Sequence, residues 1–463
     1  MNVRRRRPRL WTLGVLLTLL LASASSAREL TPGVALAQEA AGQAPLPANV
    51  AAAFDAIAQR ASQLRGLAPR RDVPRVVLTP DEFRARVVDD LSDPETQTSI
   101  EHSRQLMVAL GLLGPDVDLY ALELAFRAGI VLGQYDPDTK QLYVITGTDP
   151  TSAMARVTFA HEYTHALQDQ YYDIRALMPK NSDNSDRDLG VSSLLEGDAL
   201  LMEEIYQRQA MSPADRQEKQ REENALAAGV DLSQVPLVLR EETYFPYEQG
   251  PRFIGAVLGQ DAIREALDQG AGYGPRVNRI FEDPPRSTAQ IIHPEKYLAG
   301  ENPVAVHFPD LAAALGDGWQ QLEADVLGEV DHRILIQQFS DRQRGEQAAA
   351  GWAGDGYVLL SNGDHVAVVV SSRWETPDAA STWYGAYAQT VAARYGSRAE
   401  AVEQRPDRTV WRTPDGMELL SRDGTATTIL IAKTPEEIAT LEQALAGVPA
   451  TAGHVLVPTV PLP

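Results

Sequence analysis

The chain reads as an α+β protein: a mainly helical central domain with a small sheet or hairpin, followed by a C-terminal α+β domain. Three observations carry that expectation. Met154 to Tyr172 runs without Pro or Gly through Val157, Phe159, Ala160, Ala166 and Leu167, and Leu189 to Met202 is a second apolar, helix-like run. Both have the pattern of buried helices. Gly133 to Ile145 reads as a hairpin, with Tyr135 before an Asp-Pro-Asp turn and Leu142 to Ile145 after it. Beyond residue 310, apolar β-branched runs alternate with turn pairs such as Asn362-Gly363, the pattern of an antiparallel sheet.

Taken in order, residues 1–37 read as a signal peptide: Arg4 to Arg7 and Arg9 form a basic start, Leu10 to Ala22 is apolar, and small-residue exits follow at Ala22-Ser-Ala24, Ser25-Ser-Ala27 and Ala35-Leu-Ala37. The apolar stretch is short for a membrane span, so a protein secreted or released into an extracytoplasmic compartment of the cell envelope is expected, with no stable membrane span after cleavage. Those residues carry six Arg and one Glu, so their removal takes the formal charge from −21 to −26. Such an acidic chain is a poor partner for nucleic acid or an anionic membrane. It contains no Cys, so disulfides have no part in its stability. Residues 38–48, rich in Ala, Gln, Gly and Pro, read as a linker. Residues 49–128 read as helices with one short strand near Val76 to Leu78, and could be a cap, a part of the central domain or a pro-segment.

The chemistry sits in His161-Glu162-Tyr163-Thr164-His165. Helical residues four apart lie about 40° apart around the axis and roughly 6 Å from each other, so both imidazoles can converge on one cation at about 2.0–2.1 Å. Glu162 is turned by about 100° from His161 and cannot join them squarely. It can reach a water held there and take its proton. A third ligand is offered by Glu196, a carboxylate in an otherwise apolar run, where burial is costly unless the group is paired or bound to a metal. Gly197 beside it weakens a helix by about 1 kcal/mol relative to Ala, which suits a close approach between helices. The 31 residues from His165 to Glu196 leave room for a loop and an antiparallel return. Two His and one Glu leave a fourth position open, the catalytic arrangement of Zn²⁺.

With HEYTH at 161–165 and LLEGDA at 194–199, the chain resembles the gluzincin zinc metallopeptidases, the clan that includes thermolysin. The resemblance covers Gly129 to Tyr297. It implies a zincin-like catalytic domain over 129–305, His161, His165 and Glu196 as Zn²⁺ ligands, Glu162 as general base, and a peptide or protein substrate paired to the edge strand just before the motif helix. Thermolysin-like enzymes carry an Asp four residues after the ligand Glu, where this chain has Leu200. Asp198 falls about 200° around the helix from Glu196, on the far face, and Asp169 reads as a solvated helix end.

An oxyanion donor is sought in two later segments. Tyr244 and Tyr247 precede a helix expected from Arg252 to Leu258, and Ser287-x-x-Gln290 is a capping box opening a short helix that ends at His293. Tyr247 and His293 are the candidates, with packing the alternative for each. The Asp-rich loop Asn181 to Asp188 lacks the Gly and closing Glu of an EF-hand and reads as helix capping. Ser212 to Glu223 is charged, lacks an apolar stripe, and is expected to project into solvent.

In the C-terminal domain, 310–450, strands at Tyr357 to Leu360 and Val366 to Val370 flank Asn362-Gly363. Pro414-Asp-Gly416 and Asp423-Gly424 mark further turns, and helices start at Thr376-Pro377 and Thr434-Pro435. His332 and His365 lack a second ligand at metal spacing. The function these features favour is peptide-bond hydrolysis by a zinc-activated water. A zinc hydrolase of a non-peptide amide or ester, and a catalytically silent zinc-binding envelope protein, are the alternatives.

Overall fold

The computed structural model describes residues 46–129, 133–145, 149, 151–180, 182–227, 235–363 and 365–446. The signal-peptide reading lies outside these residues. Among them no helix is long and apolar enough to cross a membrane.

The N-terminal region folds as α1 (Ala48–Arg65), β1 (Arg75–Leu78), α2 (Pro80–Leu91), α3 (Pro94–Ala109) and α4 (Leu119–Arg127). Thr79 and Glu82 close a reciprocal capping box at the start of α2. The expected hairpin follows as β2 (Gly133–Asp136) and β3 (Gln141–Ile145), antiparallel, with β1 added in parallel on the far side of β3. The order β1-β3-β2 makes β3 the central strand. The strand just before the motif helix is therefore not the edge expected for it: both its flanks are already paired, and β2 is the edge on the hairpin side.

The motif helix is α5 (Ala153–Tyr172), capped by Ser152 and buried from Ala153 through Gln170 except at Ala155 and Arg156. A helix buried on every face belongs to a core rather than a surface. After α6 (Ile174–Leu177), the helix α7 (Ser185–Ala210) begins at Asn184, whose side chain accepts from the Arg187 N–H. The polar run thus caps a helix through Asn184, as its composition suggests. His161 faces Glu203 while Gln168 faces Leu195, so α7 runs back antiparallel to α5.

The stretch from Ser212 does not project into solvent. It forms α8 (Pro213–Ala227) and lies against α5, held by charge instead of an apolar stripe. Arg156 pairs with Asp215 at 2.6 Å, the Met154 N–H donates to Glu222, and the buried Lys219 reaches Glu203 of α7 at 3.4 Å. The next helix, α9 (Leu237–Leu258), starts well before Arg252 and includes Tyr244 and Tyr247 together with Pro246 and Pro251. Interior prolines cost a helix about 3 kcal/mol, but α9 has the most extensive packing on α7 of any helix, and that burial overrides the local signal. Small helices α10 (Gln260–Gln269), α11 (Gly274–Glu282), α12 (Thr288–Ile292) and α13 (Pro294–Leu298) close the layer.

The C-terminal unit is α14 (Leu311–Leu315), β4 (Gln320–Asp325), α15 (Gly328–Gln337), α16 (Arg342–Ala349), β5 (Trp352–Asn362), β6 (His365–Trp374), α17 (Pro377–Tyr395), β7 (Glu400–Arg405), β8 (Arg408–Thr413), β9 (Gly416–Asp423), β10 (Ala426–Ala432) and α18 (Pro435–Ala446). The strands form one antiparallel sheet in the order β4-β5-β6-β10-β9-β8-β7, with the three expected turns joining β5 to β6, β8 to β9 and β9 to β10. Alternation sends Leu359, Val368, Val370 and Ile429 toward α17 and the main core, and Leu360, Val369, Leu419 and Leu430 toward α14 and α18. His332 is buried, and His365 pairs with Glu437.

Gly197 decides how closely α7 and α9 pack. A Cβ there would lie 2.5 Å from the carbonyl carbon of Gly250, and one on Gly250 would lie 2.1 Å from the Ser193 carbonyl oxygen. Gly197→Ala is expected to lower unfolding free energy in urea by about 1–3 kcal/mol through overpacking. Gly385→Ala in α17, where nothing lies within 4 Å, is expected to be neutral or to stabilise by up to about 1 kcal/mol.

Candidate metal centre

Helix periodicity sets His161 and His165 on one face of α5, and the return of α7 carries Glu196 to them. The distances are 3.1 Å between the two Nε2 atoms, 3.2 Å from His161 Nε2 to Glu196 Oε2, and 3.5 Å from His165 Nε2 to the same oxygen. Donors at the corners of a tetrahedron with bonds of about 2.0–2.1 Å stand about 3.3–3.4 Å apart, so the spacing suits zinc. Among the described residues this is the one group of three or more His, Cys, Asp or Glu placed to hold a metal ion.

The chemistry of the donors agrees with their spacing. All three are buried. His161 Nδ1, Glu162 Oε1, Glu196 Oε2 and Glu203 Oε2 have no hydrogen-bond partner among the described residues. Buried polar atoms are rarely left so: Glu196 Oε2 among the donors and Glu162 Oε1 beside them stand ready for a cation and its ligand, while His161 Nδ1 and Glu203 Oε2 face each other at 3.4 Å on the other side of the ring. Burial pushes the Glu196 carboxyl up, but His165 and His161 beside it prevail and hold it at about 2. Burial pushes His161 down, and its contacts with Glu196 and Glu203 outweigh this to hold it above its ordinary range. A site with this excess of negative charge favours a positive ion.

Glu162 lies beside the donors and not among them. Its Oε2 accepts the Tyr135 N–H of β2 at 2.7 Å, which fixes the carboxylate against the sheet. Burial raises its pKa, the two imidazoles opposing that rise. A carboxylate whose pKa is raised is a stronger base and so better suited to take a proton.

Of the two oxyanion candidates, the structure brings one to the centre. Tyr247, on the α9 face opposite α7, donates its hydroxyl to Glu196 Oε1 at 3.2 Å. For His293 the ring contacts are with acidic groups outside the donor set: its Nε2 lies 2.8 Å from Glu329 Oε1 on α15 and its Nδ1 3.7 Å from Glu295. The helix ahead of it is capped by Ser287, but the Gln290 side chain accepts from Arg286 N–H instead of completing the box.

Two acidic residues are more engaged than their spacing suggests. Asp169 is buried, not solvated. It accepts from Tyr135 Oη at 2.7 Å and pairs with Lys140 at 2.8 Å and Arg71 at 2.9 Å, so Tyr135 touches α5 at both Glu162 and Asp169. Asp198 is not one of the donors, yet it packs against the helix that carries the histidines: its Oδ2 accepts from Gln168 at 2.9 Å, and Gln168 contacts His165 Nδ1 at 2.8 Å. The same oxygen pairs with the fully buried Arg65 of α1 at 2.9 Å. Glu203, two turns after Glu196, lies 3.4 Å from His161 Nδ1 and from Lys219 Nζ. Sequence reading missed Gln168, Glu203, Tyr135 and Arg65. The i+3 spacing from His165 to Gln168 and the i+7 spacing from Glu196 to Glu203 were signals for the first two, while nothing local marks Arg65.

The buried Arg65, with Phe54 of α1 stacked 4.3 Å from Phe159 of α5, joins the N-terminal helix to the same core as the centre. Comparison with known proteins bears on a different part of the chain. A family described as a domain of unknown function (DUF8575) matches residues 317–442, which span the C-terminal sheet and none of the donors. No curated protein and no solved structure matches.

The His293 geometry has a pH consequence. Its hydrogen bond to Glu329 outweighs burial and holds the imidazole above its ordinary range. A group raised on folding stabilises fully below its unfolded pKa, about 6.5 for His, and that contribution is lost as pH rises through the folded value. His293→Gln is therefore expected to lower the melting temperature at pH 6 and to differ less from the parent at pH 9. Equal differences at both pH values would show that the pair does not titrate with folding.

Proposed function

We propose that this protein is an exported zinc-dependent metallopeptidase that hydrolyses peptide bonds with Glu162 as general base. The observation that carries the reading is the convergence of His161 Nε2, His165 Nε2 and Glu196 Oε2 within 3.1–3.5 Å of one another, next to a buried carboxylate that is not one of the three. The gluzincin resemblance and the signal-peptide pattern support it from the sequence side.

A zinc ion at these donors would supply Lewis acidity toward the scissile carbonyl and lower the pKa of water in its open position. The chain's own groups do the rest. Tyr135 N–H holds one oxygen of Glu162 and leaves Oε1 to take the proton of the attacking water. Its raised pKa lets Glu162 keep that proton until the departing nitrogen accepts it. Tyr247 holds its hydroxyl within hydrogen-bond reach of Glu196, and a turn of that O–H toward the developing oxyanion makes it the stabilising donor. His293, engaged with Glu329, has no step in this scheme.

The test compares the secreted protein with Glu162→Gln and Tyr247→Phe, measuring zinc by elemental analysis and cleavage of a peptide library by mass spectrometry. All three proteins are expected to hold one zinc. Glu162→Gln is expected to lose about 10²–10⁴-fold in kcat and Tyr247→Phe a smaller factor with little change in KM. Cleavage by Glu162→Gln at the parent rate would overturn the reading.

A further inference from the structure

Resting on the metal-centre reading, we infer that Gln168 is a positioning residue that holds His165 in its Nδ1–H tautomer, with Arg65 of α1 as the fixed far end of the chain of contacts.

The inference follows from counting hydrogens. Gln168 is fully buried, and both ends of its amide are engaged by protein atoms. Its Nε2 donates to the Leu195 carbonyl at 3.0 Å and to Asp198 Oδ2 at 2.9 Å. A backbone carbonyl has no hydrogen to give, nor has a carboxylate ion-paired with arginine. Reversing the amide would set its oxygen against both acceptors. The amide sense is thereby fixed by chemistry, although O and N of an amide look alike.

Gln168 Oε1 must then be the atom 2.8 Å from His165 Nδ1, and it can only accept. Nδ1 consequently bears the proton. In a neutral imidazole this leaves the lone pair on Nε2, the atom that stands 3.1 Å from His161 Nε2 and 3.5 Å from Glu196 Oε2. The tautomer is thus set before any cation arrives.

Asp198 is held in turn by Arg65 Nε at 2.9 Å, and Arg65 Nη1 donates to Asn278 Oδ1 at 2.8 Å. A guanidinium keeps its protons at any working pH, so the outer end of the chain does not switch. Leu195 and Asp198 flank Glu196 on α7. One glutamine therefore ties the helix of two ligands to the helix of the third and orients a ring as it does so. Losing such outer contacts typically weakens metal binding by about 10–100-fold.

The test has two arms. Long-range ¹H–¹⁵N correlation spectra of the metal-free full chain with labelled histidine report which ring nitrogen carries hydrogen, with His165→Gln assigning the signal. The expected result at pH 8 is His165 with protonated Nδ1 and bare Nε2, and an Nε2–H tautomer overturns the inference without any change at Gln168. In the second arm, zinc affinity is read by competition with a chromophoric chelator for the parent, Gln168→Leu and Gln168→Met, after circular dichroism has identified the folded variants. A folded variant is expected to bind about 10–100-fold more weakly, and affinity within twofold of the parent overturns the proposal. If the parent takes up no zinc, the metal-centre reading fails, and the metal-free spectrum still decides the tautomer.

Discussion

The meeting of two imidazole nitrogens with one carboxylate oxygen, deep between α5 and α7, is the constraint around which the rest of the chain is arranged. Buried carboxylates are expensive unless compensated, and here Glu162, Glu196, Asp169, Asp198 and Glu203 all lie buried in or around one helix pair. Each has its compensation. Glu196 faces the imidazoles, Glu162 the Tyr135 amide, Asp169 two cations and a tyrosine, Asp198 an arginine, and Glu203 a lysine. The Gly197–Gly250 contact brings α9 against α7 and with it the Tyr247 hydroxyl. Position and charge are solved by the same few helices.

The C-terminal unit is built onto these helices instead of standing apart from them. Asp325 at the end of β4 accepts from the Ser185 N–H at the start of α7 at 2.7 Å. Arg333 of α15 pairs with Glu241 at 3.0 Å and Arg342 of α16 with Glu248 at 3.1 Å, both on α9 near Tyr247. On the opposite side, Arg394 of α17 donates to the carbonyls of Val108 and Ala109, satisfying the end of α3. The region that matches a domain of unknown function thus contacts the two helices bearing Glu196 and Tyr247, and its sheet shares a core with them.

What could be read in the sequence was whatever depends on local periodicity. The i, i+4 histidines, the uninterrupted α5, the hairpin before it and the turn pairs of the large sheet all announce themselves over a few residues, and the structure has each of them. Glu196 was legible because a lone acid in an apolar run has few physical excuses. The failures share a cause. The length of α9 was hidden by Pro246 and Pro251, whose local penalty is outweighed by packing on a helix some 50 residues away. Asp169 and Asp198 were judged by helix angle alone, while their partners Arg71, Lys140 and Arg65 come from distant segments. The docking of α8 was invisible to a search for apolar stripes because its side-chain pairs with α5 and α7 are ionic.

The central claim is the donor set itself, and X-ray absorption at the zinc edge of the purified protein tests it most directly. Two imidazole nitrogens and one carboxylate oxygen at about 2.0–2.1 Å, with a further light-atom ligand, are the expected shell. The Glu196→Gln variant is expected to lose that carboxylate or the metal. A protein that retains no zinc, or a shell with fewer than two imidazoles, would contradict it.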